Sequence, residues 1–349
     1  VFDERIPQGC RSILRVRQVI DLPDRLVCRP TKAHLMPSGS KTPAVTVGTS
    51  GAGSTLGVSV LAVPLLAVLW GLNWPSVRVL LAWWSPWQMR AVGLGTGALL
   101  LFVLSRIRGQ SLQVPAGMRW RLVVSALLSI VGFNVCTAFA QLSGSTARAT
   151  IVTYSMPVWV VLLAWAVAGE RPDARRWLSV ALAVLGLGLL AMPLQAAGAS
   201  LGGILFALGA SLSWAGGTVF LKRFPLTVAP LPATAWQLAI GSAVTLAGWA
   251  VSVGSGGGSP TATPSWPEHW FWIALGFHVL FAMALGYLVW FDVVARLPGG
   301  VAALGTLLVP VVGVTGAMLL LGERPTASDI AGLVLITAAA AIVLRPDRR

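Results

Sequence analysis

A chain of 349 residues that is 56% hydrophobic and only 10% charged, with mean hydropathy +0.80, is not an ordinary soluble domain, in which about a quarter of residues are charged. Its net charge of +14 does not point to nucleic acid, because the basic residues are scattered through connectors and form no single aromatic-bearing surface. Three cysteines, Cys10, Cys28 and Cys136, build neither a disulfide framework nor a close-spaced metal pattern, so no metal and no cofactor is expected.

The first 55 residues carry eight Lys or Arg and end in a Pro, Gly, Ser and Thr-rich run from Pro37 to Thr55, and 1–56 reads as a basic, disordered tail. No apolar core follows the early basic residues within signal-peptide reach; a start at Met36 is the alternative reading of this region. From Leu56 to Leu344 apolar runs recur with short connectors, each close to the roughly 20 residues a helix needs to cross a bilayer. Stretches such as "WLSVALAVLGLGLLAM" are apolar all round, unlike the alternating strands of a membrane barrel. The expected fold is an all-α integral membrane protein with ten transmembrane helices. They run from Gly57 to Leu72, Trp83 to Leu104, Leu122 to Ala140, Ala147 to Ala168, Trp177 to Met192, Gly203 to Leu221, Ala233 to Val253, Trp270 to Phe291, Gly300 to Leu321 and Ser328 to Leu344.

Lys and Arg in short connectors are retained on the cytoplasmic side. Thirteen fall on one set of connectors and ends, against Arg78, Arg90, Arg148 and Arg324 on the other, and the tail adds its eight to the larger set. The chain is therefore expected in the cytoplasmic membrane of the cell with both termini in the cytoplasm.

The tetrapeptide "GERP" stands at Gly169 to Pro172 and again at Gly322 to Pro325. A shift of 153 residues lays Thr146 to Pro193 on Gly299 to Pro346 without a gap and with thirteen identities, Pro157 meeting Pro310 among them. Weaker echoes extend the match: "SLSWAGG" to "AVLWGLN", and Trp236-Gln237 to Trp87-Gln88. The chain reads as a first five-helix repeat over 57–193, a second over 194–346 and a short tail, 347–349. Five is odd, so a helix and its copy cross in opposite senses, and inverted repeats of this kind are a transporter architecture. Locally, Gly of "GERP" ends one helix, Pro suits the first turn of the next, and Asp173 or Thr326 caps it, Thr326 in capping-box spacing with Asp329. Glu170 and Glu323 are expected to hold these corners.

Polar groups inside a bilayer are costly and become site candidates. Arg90 is the charge well inside a span and a candidate contact for a carboxylate; Arg148, at the end of its span, is expected at the interface. His278 lies mid-span, where imidazole can exchange protons near neutral pH. Asn73, Gln88, Asn134, Tyr154 and Gln237 could orient a zwitterion, and Trp70, Trp214 and Tyr287 could wall a cavity, although most Trp are expected as interfacial anchors. Pro157 and Pro310 each remove a helical hydrogen bond at matching depths, so kinks are expected there.

The apolar spans, the duplicated proline with "GERP", Trp70-Gly71 in the first span and "QMR" ending at Arg90 resemble the EamA-type members of the drug/metabolite transporter superfamily, over about Gly57 to Leu344. The resemblance implies a secondary transporter that moves a small metabolite, such as an amino acid or related organic solute, through a cavity between the halves. The membrane-embedded Glu used by the related four-helix exporters for proton exchange has no counterpart in the first span, which contains no acid. An enzyme is not expected, since no carboxylate pair, His cluster or Ser, His and Asp set occupies the spans. No "GxxxxGK[ST]" motif is present for ATP hydrolysis. Expected partners are a small-molecule substrate and the lipid bilayer, with proton coupling, exchange and facilitated diffusion as the open alternatives for the energy source, and the chain a monomer or homodimer. A non-transporting scaffold or sensor is the competing reading.

Overall fold

The computed structural model describes residues 52–169, 171–191, 200–256, 266–290 and 307–344, and among these there is no strand. The helices are α1 (Ala52–Leu80), α2 (Pro86–Ile107), α3 (Ala116–Leu142), α4 (Thr146–Thr153), α5 (Met156–Ala168), α6 (Ala174–Ala191), α7 (Leu201–Arg223), α8 (Pro230–Gly254), α9 (Glu268–Trp290), α10 (Leu308–Leu321) and α11 (Ala327–Leu344). Seven stretches are long and apolar enough to cross a membrane, and Leu308–Leu321 and Ala327–Ile342 are shorter apolar helices. Large apolar side chains such as Leu99, Val167, Val184 and Leu319 point outward, the arrangement expected where lipid replaces water around the fold.

The first helix differs from its expected extent. It continues past Leu72, through Pro64 and Pro75, to Leu80. Proline removes one backbone bond, and hydroxyl side chains can supply polar contacts around the gap. Ser76 Oγ donates to Leu72 O at 2.9 Å in the disturbed turn. Close packing supports the same turn: a Cβ at Gly71 would come within 2.6 Å of Val312, so α1 and α10 approach as only small residues allow.

Both "GERP" glycines take the left-handed conformation, φ 68° at Gly169 and at Gly322, and end α5 and α10 as αL caps. The following caps also match the expectation. Asp173 Oδ1 accepts from Arg176 N at 2.8 Å; Thr326 Oγ1 accepts from Asp329 N at 3.2 Å while Asp329 Oδ2 accepts from Thr326 N at 2.8 Å, a reciprocal capping box. Pro172 and Pro325 stand one residue before these caps, outside the first turn expected for them, since α6 and α11 begin at Ala174 and Ala327. Glu170 lies outside the described residues.

At Pro157 the structure shows a break where a kink was expected. α4 ends at Thr153, Tyr154 and Ser155 form a turn in which Ser155 N donates to Val152 O, and Pro157 sits in the first turn of α5. Its partner Pro310 likewise sits in the first turn of α10.

Helix pairing follows the repeat. α2 packs along α8 and α6 along α11, each a helix against its own copy, while α1 packs on α10 as α7 packs on α4 and α5. The copies run antiparallel. Ser179 Oγ donates to Ala339 O at 2.6 Å, and the positions 153 residues along, Gly332 and 153 residues back, Gly186, also meet, with a Cβ at Gly186 falling 3.3 Å from Gly332 O. A contact that maps onto itself when the halves are exchanged is the signature of a pseudo-two-fold axis. The third helix of each half also carries a π-helical stretch, Leu127–Gly132 in α3 and Phe277–Leu285 in α9; adding 153 places the first inside the second.

Candidate functional site

The polar groups converge where α1 and α2 meet α3 and α9. Arg90 is 4% exposed and is positioned one turn into α2 by the Ser85 cap, whose Oγ accepts from Gln88 N. Its Nη2 donates to Thr137 Oγ1 at 3.0 Å, and Thr137 in turn donates to Asn134 O. Arg90 Nε has no partner, and no ion pair to Arg90 exists among the described residues; the buried pair there joins Arg148 to Asp329. A buried cation with one neutral contact is costly unless an anion completes it.

One turn along α2, Gly93 makes room for His278. A Cβ at Gly93 would lie 2.3 Å from His278 Nε2, and the ring, 1% exposed, meets Asn73 Oδ1 through Nδ1 at 2.7 Å. The Asn73 oxygen accepts from Nδ1–H, which leaves Nε2 as the lone-pair nitrogen over α2.

The π-helical stretches link the halves at this site. π turns leave backbone carbonyls free for outside donors and concentrate at functional positions. Trp70 Nε1 on α1 donates to Ala282 O in the α9 stretch at 3.2 Å, and its ring meets those of Tyr287 and Trp290. In the mirror position, Ser213 Oγ on α7 donates to Leu128 O in the α3 stretch at 2.6 Å, beside Trp214, whose ring packs on Phe133 at 4.9 Å. Asn134 Nδ2 donates to Ile130 O in the same stretch at 2.9 Å.

Arg90 with Asn134 through Thr137, Asn73 with His278 and Trp70 with Tyr287 are the contacts that make up the candidate site. Tyr154 is set beside it at the α4–α5 break, against Trp74. Trp214 belongs to the mirror contact. Gln237 is elsewhere: its Nε2 donates to Ser125 Oγ at 2.8 Å, toward the Gly97 end of the α2–α8 pair, while Gln88 lies at the Ser85 end. Inverted copies place equivalent residues at opposite ends, so the two glutamines do not share a site. Arg148, expected at the interface, is buried in its ion pair.

Thr137, Gly93 and Ser213 belong to the arrangement although sequence reasoning passed over them. Thr137 lies three residues after Asn134 and Gly93 three after Arg90, a helical spacing that puts each on the same face as a candidate. No group of three or more His, Cys, Asp or Glu that could hold a metal occurs among the described residues.

The model of the EamA-like transporter family matches residues 57–192 and 201–345, the two halves that the geometry relates. The uncharacterized transporter YvbV of Bacillus subtilis is 28% identical over 286 residues, covering 81% of this chain and 90% of that protein. The uncharacterized inner membrane transporter YedA of Escherichia coli is 25% identical over 80% of this chain and 87% of its own. A protein of Salmonella typhimurium named as a probable amino-acid metabolite efflux pump is 26% identical, with coverages of 78% and 90%. One crystal structure shares the fold with TM-score 0.53 at 21% identity, covering 82% of this chain and 96% of the other.

Proposed function

The chain belongs to the EamA-like transporter family, and from that premise we propose that it carries a small carboxylate-bearing metabolite, an amino acid or a close relative, by alternating access between two inverted five-helix repeats. Ten spans, with both termini in the cytoplasm, are part of this reading: α4 with α5 supplies the fourth, and the remaining nine helices supply one each. The observation that carries the substrate class is Arg90, buried without a carboxylate partner among the described residues and with Nε free. A solute carboxylate is the anion that completes it. Asn73, His278 and Asn134 supply neutral polar groups nearby, and Trp70 and Tyr287 supply aromatic walls; a few placed polar groups among apolar ones is the usual make-up of a small-molecule site. The name of the Salmonella relative supports an amino-acid derivative as the first compound to try.

The site lies between α1, α2 and α3 of one half and α9 of the other, so rocking one half against its copy exposes it to either face. The break before Pro157 gives the fourth span a pivot. The test is flux in proteoliposomes loaded with a panel of amino acids, their N-acyl and ester derivatives and matched amines, with Arg90→Gln as the control. Exchange of at least one carboxylate compound, lost in the variant, is expected. Flux of amines alone would refute the substrate class, and no flux of any compound would favour a scaffold or sensor.

A further inference from the structure

One face of this fold is closed by charged contacts that run between the two halves. Arg148 Nε and Nη2 both lie 2.9 Å from Asp329 Oδ1, and Asp329 Oδ2 accepts from Thr326 N and Oγ1 at 2.8 and 2.9 Å. Beside this pair the Glu323 carboxylate accepts from Thr146 N at 2.8 Å and Ala147 N at 2.9 Å, capping α4 at its positive end. Arg148, Thr146 and Ala147 belong to the first repeat; Asp329 and Glu323 belong to the second. The ion pair and both backbone caps therefore cross the boundary that must open. Both charged side chains of the pair are buried, at 5% and 4% exposed. A pocket of about 10 Å³, the space of one water, lies beside Arg148, lined also by Ala140, Ser145, Gly203 and Ala207, and Arg148 Nη1 has no partner.

The repeat lets the other face be read. Moving Arg148 by 153 residues gives Val301, and moving Asp329 back by 153 gives Arg176. Valine and arginine cannot form an ion pair, so the repeat that preserves the corner glycines and prolines does not reproduce this charge pair. Opening this face must break the ion pair and the charge-assisted Glu323 caps together, and an equilibrium between two otherwise similar states then shifts toward the state that keeps them.

We propose that Arg148 and Asp329 are the gate of the extracytoplasmic face, that the empty carrier rests closed there, and that it takes its solute from the cytoplasm. This rests on the topology proposed above, which puts the α4 and α11 starts outside.

The experiment uses the full chain in intact cells with Cys10, Cys28 and Cys136 changed to Ser. Ala207→Cys, fully buried in the pocket beside Arg148, reports opening to a membrane-impermeant maleimide; Arg324→Cys, exposed in the α10–α11 connector, reports sidedness. With the pair intact, Arg324→Cys is expected to label from outside and Ala207→Cys to be protected. Adding Arg148→Gln with Asp329→Asn, which removes both charges and with them the charge-assisted hydrogen bonds, is expected to speed Ala207→Cys labelling about tenfold or more. Unchanged protection in that variant, or rapid labelling of the parent, overturns the gate. Labelling of Arg324→Cys only after permeabilisation overturns the assignment of sides, and cytoplasmic loading with it. Should the double variant fail to accumulate, Glu323→Gln, which keeps the shape and loses the charge, is expected to move the rate in the same direction by about threefold, and no change there counts against the gate.

Discussion

His278 Nδ1 and Asn73 Oδ1 lie 2.7 Å apart although 205 residues separate them, and this bond joins the first helix of one half to the third helix of the other. It exists because Gly93 leaves the ring a place to lie against α2. The candidate site is thus held by a contact that also holds the halves together.

Gly93→Ala tests that packing. Its Cβ would fall 2.3 Å from His278 Nε2, so the ring must move and the Asn73 bond must weaken. A loss of about 1 to 3 kcal/mol of stability is expected, read as a lower melting temperature in detergent together with reduced solute flux. An unchanged melting temperature would show that the ring yields freely.

Arg90→Gln separates a structural arginine from a binding one. The substitution removes a buried charge that has no acid partner among the described residues, so the protein without solute is expected to be as stable as the parent or more so. Affinity for a carboxylate solute is expected to fall about 30-fold or more, as when one member of a buried charge pair is removed. Stability measured with and without solute decides between the roles, because a packing arginine would lower both.

Glu323→Ala leaves the Thr146 and Ala147 N–H groups without the carboxylate that accepts from them. A cost of about 1 to 2 kcal/mol is expected, the range for loss of a helix N-cap. The apparent KM for solute is expected to stay near that of the parent, since Glu323 is not among the residues that meet at Arg90.

Gly169→Ala and Gly322→Ala form a matched pair. Both glycines have φ 68° and neither has a heavy atom within 4 Å of a Cβ placed there, so the penalty is purely that of the left-handed backbone, about 1 to 2 kcal/mol each. Equal drops in thermal stability are expected from the two. A large inequality would mean that the repeat-related corners are loaded differently.

Several features could be read without coordinates because they depend on residues close in sequence. The glycine stops, the Thr326 and Asp329 box and the apolar runs follow from backbone sterics, local capping and hydrophobicity, and the 153-residue shift was written in prolines and charges. Arg90, Asn73, Asn134, His278, Trp70 and Tyr287 were recognisable as costly or amphipathic groups in apolar surroundings. Gln88 and Gln237 looked alike for the same reason, yet antiparallel copies put them at opposite ends of their helix pair. The extension of α1 past Pro75 was hidden because a neighbouring helix, here α10 against Gly71, decides whether a proline ends a span.

Sequence by itself determined a helical membrane protein made of two repeats, since lipid solvation and backbone hydrogen bonding leave few other forms for such a composition. Only the tertiary structure decided which polar groups have partners. Arg148 and Arg90 are both arginines in apolar runs, but folding brings Asp329 from 181 residues away to one and a lone Thr137 hydroxyl to the other. Coulomb energy in a low-dielectric interior depends on what stands within a few ångströms, and that neighbourhood is a property of the packed halves.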